Sequence, residues 1–302
     1  MPAVSVVIPT YNSAATIAET LASVRDQTFK DLEIVLSDDG SCDDTVRVAE
    51  RFAGHVDLRV FQQANAGPGA ARNAAIRAAR GRYCAFVDAD DLMLPDRLAQ
   101  QAALLDANPQ LGMVHTDLMT FDDRGPIHST RHAFSNPCGG QILEQLLLNN
   151  FITTSTVMAP TARLVEVGLF DERRRISEDF DLWLRMAERW PTGFIDRPLV
   201  RYRHRSGSAS DDKLVTGLAA LAVIEQFWRA HTEYGMRNSA LRRRSLAAHL
   251  ATAGAGALSQ RKKVAALGLL LRSLLYHPGN LSAWKNLAKV ALVSRPSGAH
   301  GA

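Results

Sequence analysis

Three carboxylates follow an apolar run in Phe86-Val87-Asp88-Ala89-Asp90-Asp91. The residues before them, Tyr83-Cys84-Ala85-Phe86-Val87, are apolar, β-prone and free of proline, which predicts a buried strand with the acids at its carboxyl end. In an open α/β sheet that edge is the ligand crevice. Hard cations such as Mg²⁺ or Mn²⁺ take oxygen ligands, with one or two carboxylates from protein and the remainder from water and substrate phosphates. Asp88 and Asp90, one residue apart, can both face a single bound nucleoside diphosphate. The same acids can equally finish a strand and cap the helix expected from Pro95. A second acidic group lies in Ser177-Glu178-Asp179-Phe180-Asp181-Leu182-Trp183, where Ser177 suits a helix N-cap and acids in the first turn are favoured by the helix dipole.

The elements that must position these acids read as strands alternating with helices. Val4 to Ile8 predicts a strand, and Ala14 to Gln27 a helix with Ile17, Leu21 and Val24 at helical spacing. Leu32 to Leu36 predicts a second strand, leading through Asp38-Asp39-Gly40-Ser41 to a helix from Asp44 to Phe52 capped by Ser41 or Asp43. A third strand spans Leu58 to Phe61, and the turn Gly67-Pro68-Gly69 opens a helix through Arg80. Tyr83 to Val87 is the fourth strand, followed by a helix from Pro95 to Asp106 and a strand from Met113 to Met119. The alternation predicts an α/β fold with a mostly parallel, doubly wound sheet. A looser stretch runs to Asn150, then a polar β-prone patch at Thr153-Thr154-Ser155-Thr156 and a strand from Pro198 to Tyr202.

The chain has 302 residues, 46% of them apolar, enough to bury a substantial core. No run of apolar residues is long enough to span a bilayer, and the N-terminus leads straight into a strand, so a cytoplasmic protein is expected. Cys42, Cys84 and Cys138 are odd in number and scattered, which argues against a disulfide framework or a zinc site. The net charge of +4 conceals an asymmetry. Residues 211–302 carry 13 Lys and Arg against 4 Asp and Glu, whereas residues 1–210 carry 22 against 27. The small polar run Ser206-Gly207-Ser208-Ala209-Ser210 marks the expected boundary.

Five motifs stand in order: Pro9-Thr10-Tyr11-Asn12, Asp38-Asp39-Gly40-Ser41, Ala71-Arg72-Asn73, Asp88-Ala89-Asp90-Asp91 and Ser177 to Trp183. The set resembles the family 2 glycosyltransferases, inverting enzymes with the GT-A fold, over residues 3–205. Gly168-Leu169-Phe170-Asp171-Glu172 is of the same type. The resemblance implies a GT-A domain at 1–210, with a nucleotide-sugar half at 1–110 and an acceptor half at 111–210. It also implies a nucleoside-diphosphate sugar donor, with uracil the commonest base, and a divalent metal. By matching position, Pro9 and Tyr11 line the nucleoside pocket, Asp39 accepts a hydrogen bond from the base, and Arg72 and Asn73 reach the nucleotide. Asp88 meets the ribose or metal, and Asp90 is the principal metal ligand. Asp179 is the expected general base: inversion needs one carboxylate to deprotonate the acceptor hydroxyl, and a diphosphate leaving group needs no second acid. Glu178, Asp181 and Trp183 are placed beside the acceptor or diphosphate, and Arg203 and His204 at the metal or diphosphate. Ser37 and Cys42 depart from the family pattern, where an apolar residue and threonine are frequent.

From Lys213 onward the chain is rich in Ala, Leu and Arg, which predicts helices such as Leu218 to Trp228 and Val264 to Leu275. Arg242-Arg243-Arg244 and Arg261-Lys262-Lys263 lie beside apolar runs. Such helices suit peripheral contact with an anionic inner membrane surface, and so a lipid-linked acceptor. They equally suit a helical cap or a homo-oligomer interface. No helix-turn-helix or RNA-binding signature accompanies the charge, so nucleic acid is not an expected partner. The expected activity is transfer of a sugar to a hydroxyl of a glycan or lipid-linked acceptor in cell-surface polysaccharide synthesis. The alternatives are a non-catalytic nucleotide-sugar binder or scaffold and a sugar nucleotidyltransferase. The latter wants a Gly-rich phosphate loop with a basic residue, and Pro9 to Ser13 supplies neither.

Overall fold

The structure, a computed structural model, describes residues 1–122, 125–130, 136–204 and 212–292. The expected boundary at Ser206 to Ser210 lies outside the described residues. The chain divides into two compact units, one formed by Met1–Leu143 with Phe151–Arg205 and the other by Glu144–Asn150 with Ser206–Ala302.

In the first unit β1 (Val4–Thr10), β2 (Leu32–Asp38), β3 (Leu58–Gln62) and β4 (Tyr83–Phe86) are joined through α1 (Ile17–Arg25), α2 (Thr45–Glu50) and α3 (Pro68–Ala78). They pair in the order β3-β2-β1-β4, all parallel. Val4, Val6 and Ile8 point to one face, where Ile17, Leu21 and Val24 of α1 cover them. Val7 and Val35 on the other face are also fully buried. Cover on both faces explains the unbroken apolar runs of these strands. Helix α1 starts three residues later than its periodicity predicts and ends two earlier. Asp43, not Ser41, serves the start of α2, its Oδ1 accepting from the Thr45 amide at 3.0 Å.

Past β4 the sheet changes character. The short β5 (Leu92–Met93), α4 (Arg97–Ala107), β6 (Met113–Asp122) and β7 (Gly125–Thr130) follow, with β8 (Met158–Pro160) and β9 (Thr192–Arg203) later in the chain. The order continues β4-β8-β6-β9-β5, with β7 on β6. Strand β8 is antiparallel to β4 and β6, β9 is parallel to β6, and β5 is antiparallel to β9. The fold is α/β as expected, parallel in its first half and mixed in its second. Strand β9 begins six residues before the predicted strand. The Thr153–Thr156 patch is a 3₁₀ turn at Thr154–Thr156 rather than a strand.

Packing across the sheet includes one buried acid. Glu33 has no exposed surface, and its carboxylate accepts from Ser5 Oγ at 2.6 Å and from the Arg80 amide and Nε at 2.7 Å each. Burial alone would raise its pKa, but these donors together hold it below the ordinary range.

The second unit is helical. It contains most of α5 (Leu143–Leu148), which precedes α6 (Thr161–Glu166) and α7 (Glu178–Ala187) of the first unit, then α8 (Lys213–Ala230), α9 (Thr232–Arg237), α10 (Ser239–Ser259), α11 (Lys263–Tyr276) and α12 (Leu281–Leu292). Residues 144–150 thus leave the acceptor half expected at 111–210. The carbonyl of Leu147 takes hydrogen bonds from Ser245 Oγ at 2.6 Å and His249 Nε2 at 3.2 Å. Asp212 accepts from the Leu214 and Val215 amides and caps α8. No described helix is long and apolar enough to cross a membrane.

Candidate active site

The candidate residues gather where β1, β2 and β4 end and α7 begins. At the β1 end, Thr10 Oγ1 donates to Asp38 Oδ1 at 3.0 Å. Asn12 sits at φ 48°, a left-handed geometry that asparagine tolerates, and its Oδ1 accepts from the Cys42 amide at 2.9 Å. These contacts clasp the loops after β1 and β2 together. Pro9 is partly buried, and Tyr11 is 51% exposed, its ring open to a planar ligand.

Asp39 is 4% exposed. Its Oδ1 accepts from Gln63 Nε2 and the Ala66 amide, and its Oδ2 from the Gly67 amide, all at 2.8 Å. A carboxylate has about four lone-pair sites, so one remains for a base N–H. Asp39 therefore shapes the loop that opens α3 first and can touch a nucleoside second. The turn through Asp38 is closed by the Ser41 amide and hydroxyl.

Arg72 joins the two acidic motifs. Its side chain is 6% exposed, with Nη2 2.7 Å from Asp88 Oδ1 and Nη1 2.6 Å from Glu178 Oε1. The guanidinium also lies over the Phe170 ring at 5.5 Å. Burial would lower its pKa, but Asp88, Glu178 and Asp179 together raise it. Arg72 is thus the counter-ion that lets three carboxylates share this region. Its neighbour Asn73 departs from the expectation that it reaches a nucleotide. Both protons of its Nδ2 are used, on the Phe170 carbonyl and Glu172 Oε1 at 2.9 Å each, and its Oδ1 accepts from the Phe170 amide. At 1% exposure it fastens the Gly168–Glu172 stretch to α3 instead.

The three acids after β4 part company. Asp88 and Asp90 are partly exposed, and the Asp88 amide donates to Ser155 Oγ at 3.0 Å. Asp91 is fully buried and accepts from the Arg203 amide at 2.8 Å. Burial, then the charges of Asp88 and Asp90, push its carboxyl well above the usual carboxylate range. Arg203 corrects a second expectation. It is 8% exposed, its Nε donates to the Asp90 carbonyl at 2.9 Å and its Nη2 pairs with Glu19. It holds the acidic loop from behind rather than meeting a diphosphate. His204 is exposed, its amide bound to the Phe121 carbonyl at 2.7 Å.

At α7, Ser177 occupies the N-cap position at φ 61° without a side-chain capping bond, contrary to expectation. Asp179 is held instead by Thr154, whose Oγ1 donates to its Oδ2 at 3.0 Å, and by the Phe180 amide at 2.6 Å from Oδ1. Burial raises the Asp179 pKa, Arg72 and these two donors oppose the rise, and the charge of Asp88 adds to it. Glu178 is raised chiefly by burial, opposed by Arg72. A raised, hydrogen-bonded carboxylate is a better proton acceptor than an exposed aspartate.

Two further expected residues are structural. Asp181 binds Arg185 at 2.7 Å, and Arg185 reaches the Val167 and Leu169 carbonyls, so the pair pins the loop before α7. Trp183 is fully buried, its ring edge-on to Phe86 and Phe170 at 6.1 Å each. Asp181, at i+2, turns away from the face of α7 that carries Asp179, whereas Trp183, at i+4, lies one turn further along that face and is buried in the core. Thr154 and Ser155, conversely, had only the polar character of their patch to mark them. Their 3₁₀ turn puts one hydroxyl on Asp179 and the other on the Asp88 amide.

Asp88 and Asp90 are partly exposed and of the oxygen-ligand type that hard divalent cations take. Among the described residues no group of three or more His, Cys, Asp or Glu side chains could hold a metal. Asp88 and Asp90 match the alternative, in which one or two carboxylates share the ion with water and phosphate oxygens.

A parallel sheet with acids at its carboxyl edge, joined to a mixed second half with a carboxylate at the start of a helix, is the layout of GT-A nucleotide-sugar transferases. The model of the family "Glycosyl transferase family 2" matches residues 5–172, and the chain belongs to that family. Among curated relatives, an uncharacterized glycosyltransferase of Rickettsia felis is 35% identical over 68% of this chain and 33% of its own length. The chain therefore spans about a third of that relative. The putative glycosyltransferase EpsE of Bacillus subtilis is 34% identical over 68% of this chain and 74% of its own. Among solved structures, S. aureus TarS 1-349 in complex with UDP superposes with a TM-score of 0.59 at 21% identity, covering 100% of this chain and 93% of the other, and shows a shared GT-A fold.

Proposed function

We propose that this chain transfers a sugar, with inversion, from a nucleoside-diphosphate sugar to a hydroxyl of a glycan or lipid-linked acceptor in cell-surface polysaccharide synthesis. A UDP-sugar is the first donor to test, and the reaction belongs in the cytoplasm. The observation that carries the reading is the placement of Asp179. One carboxylate, raised by burial and oriented by Thr154 and the Phe180 amide, shares a guanidinium-neutralised region with Asp88.

In this reading Tyr11 and Pro9 receive the nucleoside, and the remaining lone pair of Asp39 accepts from the base. Asp88 and Asp90 would hold Mg²⁺ or Mn²⁺, which would neutralise charge on the departing diphosphate. Arg72 pairs with Asp88 and Glu178 and holds both in place. Asp179 takes the acceptor hydroxyl proton as that oxygen attacks the anomeric carbon from the side opposite the leaving group. His204, exposed at the end of β9, remains free to approach phosphate or acceptor. General-base assistance of this kind contributes about 10²–10⁴-fold.

Thermal-shift titration with UDP, GDP, CDP and dTDP, with and without Mn²⁺, identifies the donor base. A ligand at about 100 times its Kd stabilises the fold by roughly 2.7 kcal/mol. The expected result is metal-dependent stabilisation by one nucleotide, lost in Asp90→Ala and retained in Asp179→Asn. Sugar transfer should fall about 10²–10⁴-fold in Asp179→Asn, and the product anomer should be inverted. Transfer undiminished in Asp179→Asn, or retention of configuration, overturns the assignment.

A further inference from the structure

Helix α11 carries two apolar faces. Ala266, Leu270 and Ser273 form the buried one and account for its packing. On the other side Val264, Leu267, Leu271 and Leu275 are 87%, 43%, 48% and 79% exposed. Their spacing of three, four and four residues aligns them along one stripe, and that stripe faces water. Helix α12 exposes Leu281 and Trp284 by 71% and 54%. An isolated exposed leucine needs no explanation, but a row of four along one helix does.

The charge around this stripe selects its occupant. From Ser239 to Leu292 the chain carries nine Lys and Arg and no Asp or Glu. Arg261-Lys262-Lys263 stand at the start of α11, and Lys285 and Lys289 follow Trp284. A second copy docked on this face would oppose cation to cation across a symmetric contact, with no acid of this segment to answer it. A surface with acidic headgroups above an acyl layer answers both features, taking the leucines into the acyl boundary and the cations among the headgroups.

We propose that the outer stripe of α11, with the cations at its start, docks on an anionic lipid bilayer surface. The proposal deepens the reading of a lipid-linked acceptor, because it brings the enzyme to the plane where such an acceptor lies. It rests on observations of its own and needs no sugar transfer to be tested.

The test is flotation of the full chain with vesicles of phosphatidylcholine alone or mixed with phosphatidylglycerol, at low and high salt. Binding is expected only to the anionic vesicles, weakening as salt rises. Lys262→Gln and Lys263→Gln should each reduce partitioning about fivefold. Leu267→Ser with Leu271→Ser should reduce it by roughly tenfold or more, with the chain still folded by circular dichroism at the assay temperature, since both side chains are about half exposed. Absence of flotation overturns the proposal, as does flotation unchanged by the two serines. Self-association in sedimentation that Leu271→Ser abolishes would overturn it too, making the stripe a contact between copies. Flotation that behaves as expected in a protein that transfers no sugar would sink the proposed activity and leave the docking intact.

Discussion

Replacing Arg72 with methionine removes the cation between Asp88 and Glu178 while preserving most of the side chain's bulk. Glu178 is 8% exposed and loses the guanidinium paired with it, so it becomes a buried, uncompensated carboxylate. Breaking a buried pair from one side costs about 3–5 kcal/mol. Asp88, at 31% exposure, adds less because water can solvate it. In a unit of this size that loss lowers the melting temperature by roughly 6–20 °C. The pH dependence gives the mechanism away. The Glu178 pKa already lies above its ordinary value, so the folded state holds that proton more tightly than the unfolded chain. Its contribution to stability is therefore greatest in acid and declines as pH rises through the folded pKa. Without Arg72 the folded pKa climbs further and the decline deepens. Urea unfolding at about pH 7.5 and about pH 5 should show a large loss at the first and a smaller one at the second. Adding Glu178→Gln should recover much of the loss at neutral pH. A cost below about 1 kcal/mol, an equal cost at both pH values, or no recovery in the double variant would refute the view of Arg72 as the shared counter-ion.

Two other perturbations probe neighbouring claims. Thr154→Val removes a hydrogen bond to the ionised Asp179, worth about 1.5–3 kcal/mol, so the acidic limb of the kcat profile should move up by roughly one pH unit or more; an unmoved limb would separate Thr154 from the base. In the helical unit, burial pushes the His249 pKa down from 6.5 to about 4, against the Leu147 carbonyl that favours its charged form. Its stabilising contribution is complete above about pH 6.5 and lost as pH falls toward 4, so unfolding of that unit should ease over this window. His249→Gln should flatten the dependence, and a slope that survives the substitution would place its origin elsewhere.

The alternation of strands and helices over the first hundred residues was legible because each element carries its own periodicity. Unbroken apolar strands reported burial on both faces before any partner was known. The acids at Asp88, Asp90 and Asp179 were legible for a related reason: a carboxylate after a buried strand or at a helix start is restricted by local chemistry. What local chemistry could not reveal was the use of each lone pair. Asn73 and Arg203 had the right type and place to meet a phosphate, yet their side chains are engaged by Phe170, Glu172, Glu19 and the Asp90 carbonyl, partners 97 to 184 residues away along the chain.

The residues thus determined by themselves which segments become strands and helices, which edge of the sheet gathers carboxylates, and that the last third is helical and basic. Tertiary structure alone decided that Arg72 serves two acids at once, that Asp91 turns inward while Asp88 and Asp90 remain partly exposed, and that one turn puts Thr154 on Asp179 and Ser155 on the Asp88 amide. It also decided which of the two apolar faces of α11 is covered. Periodicity is a property of neighbours along the chain, whereas hydrogen-bond saturation and burial depend on groups that only folding brings within 3 Å of one another.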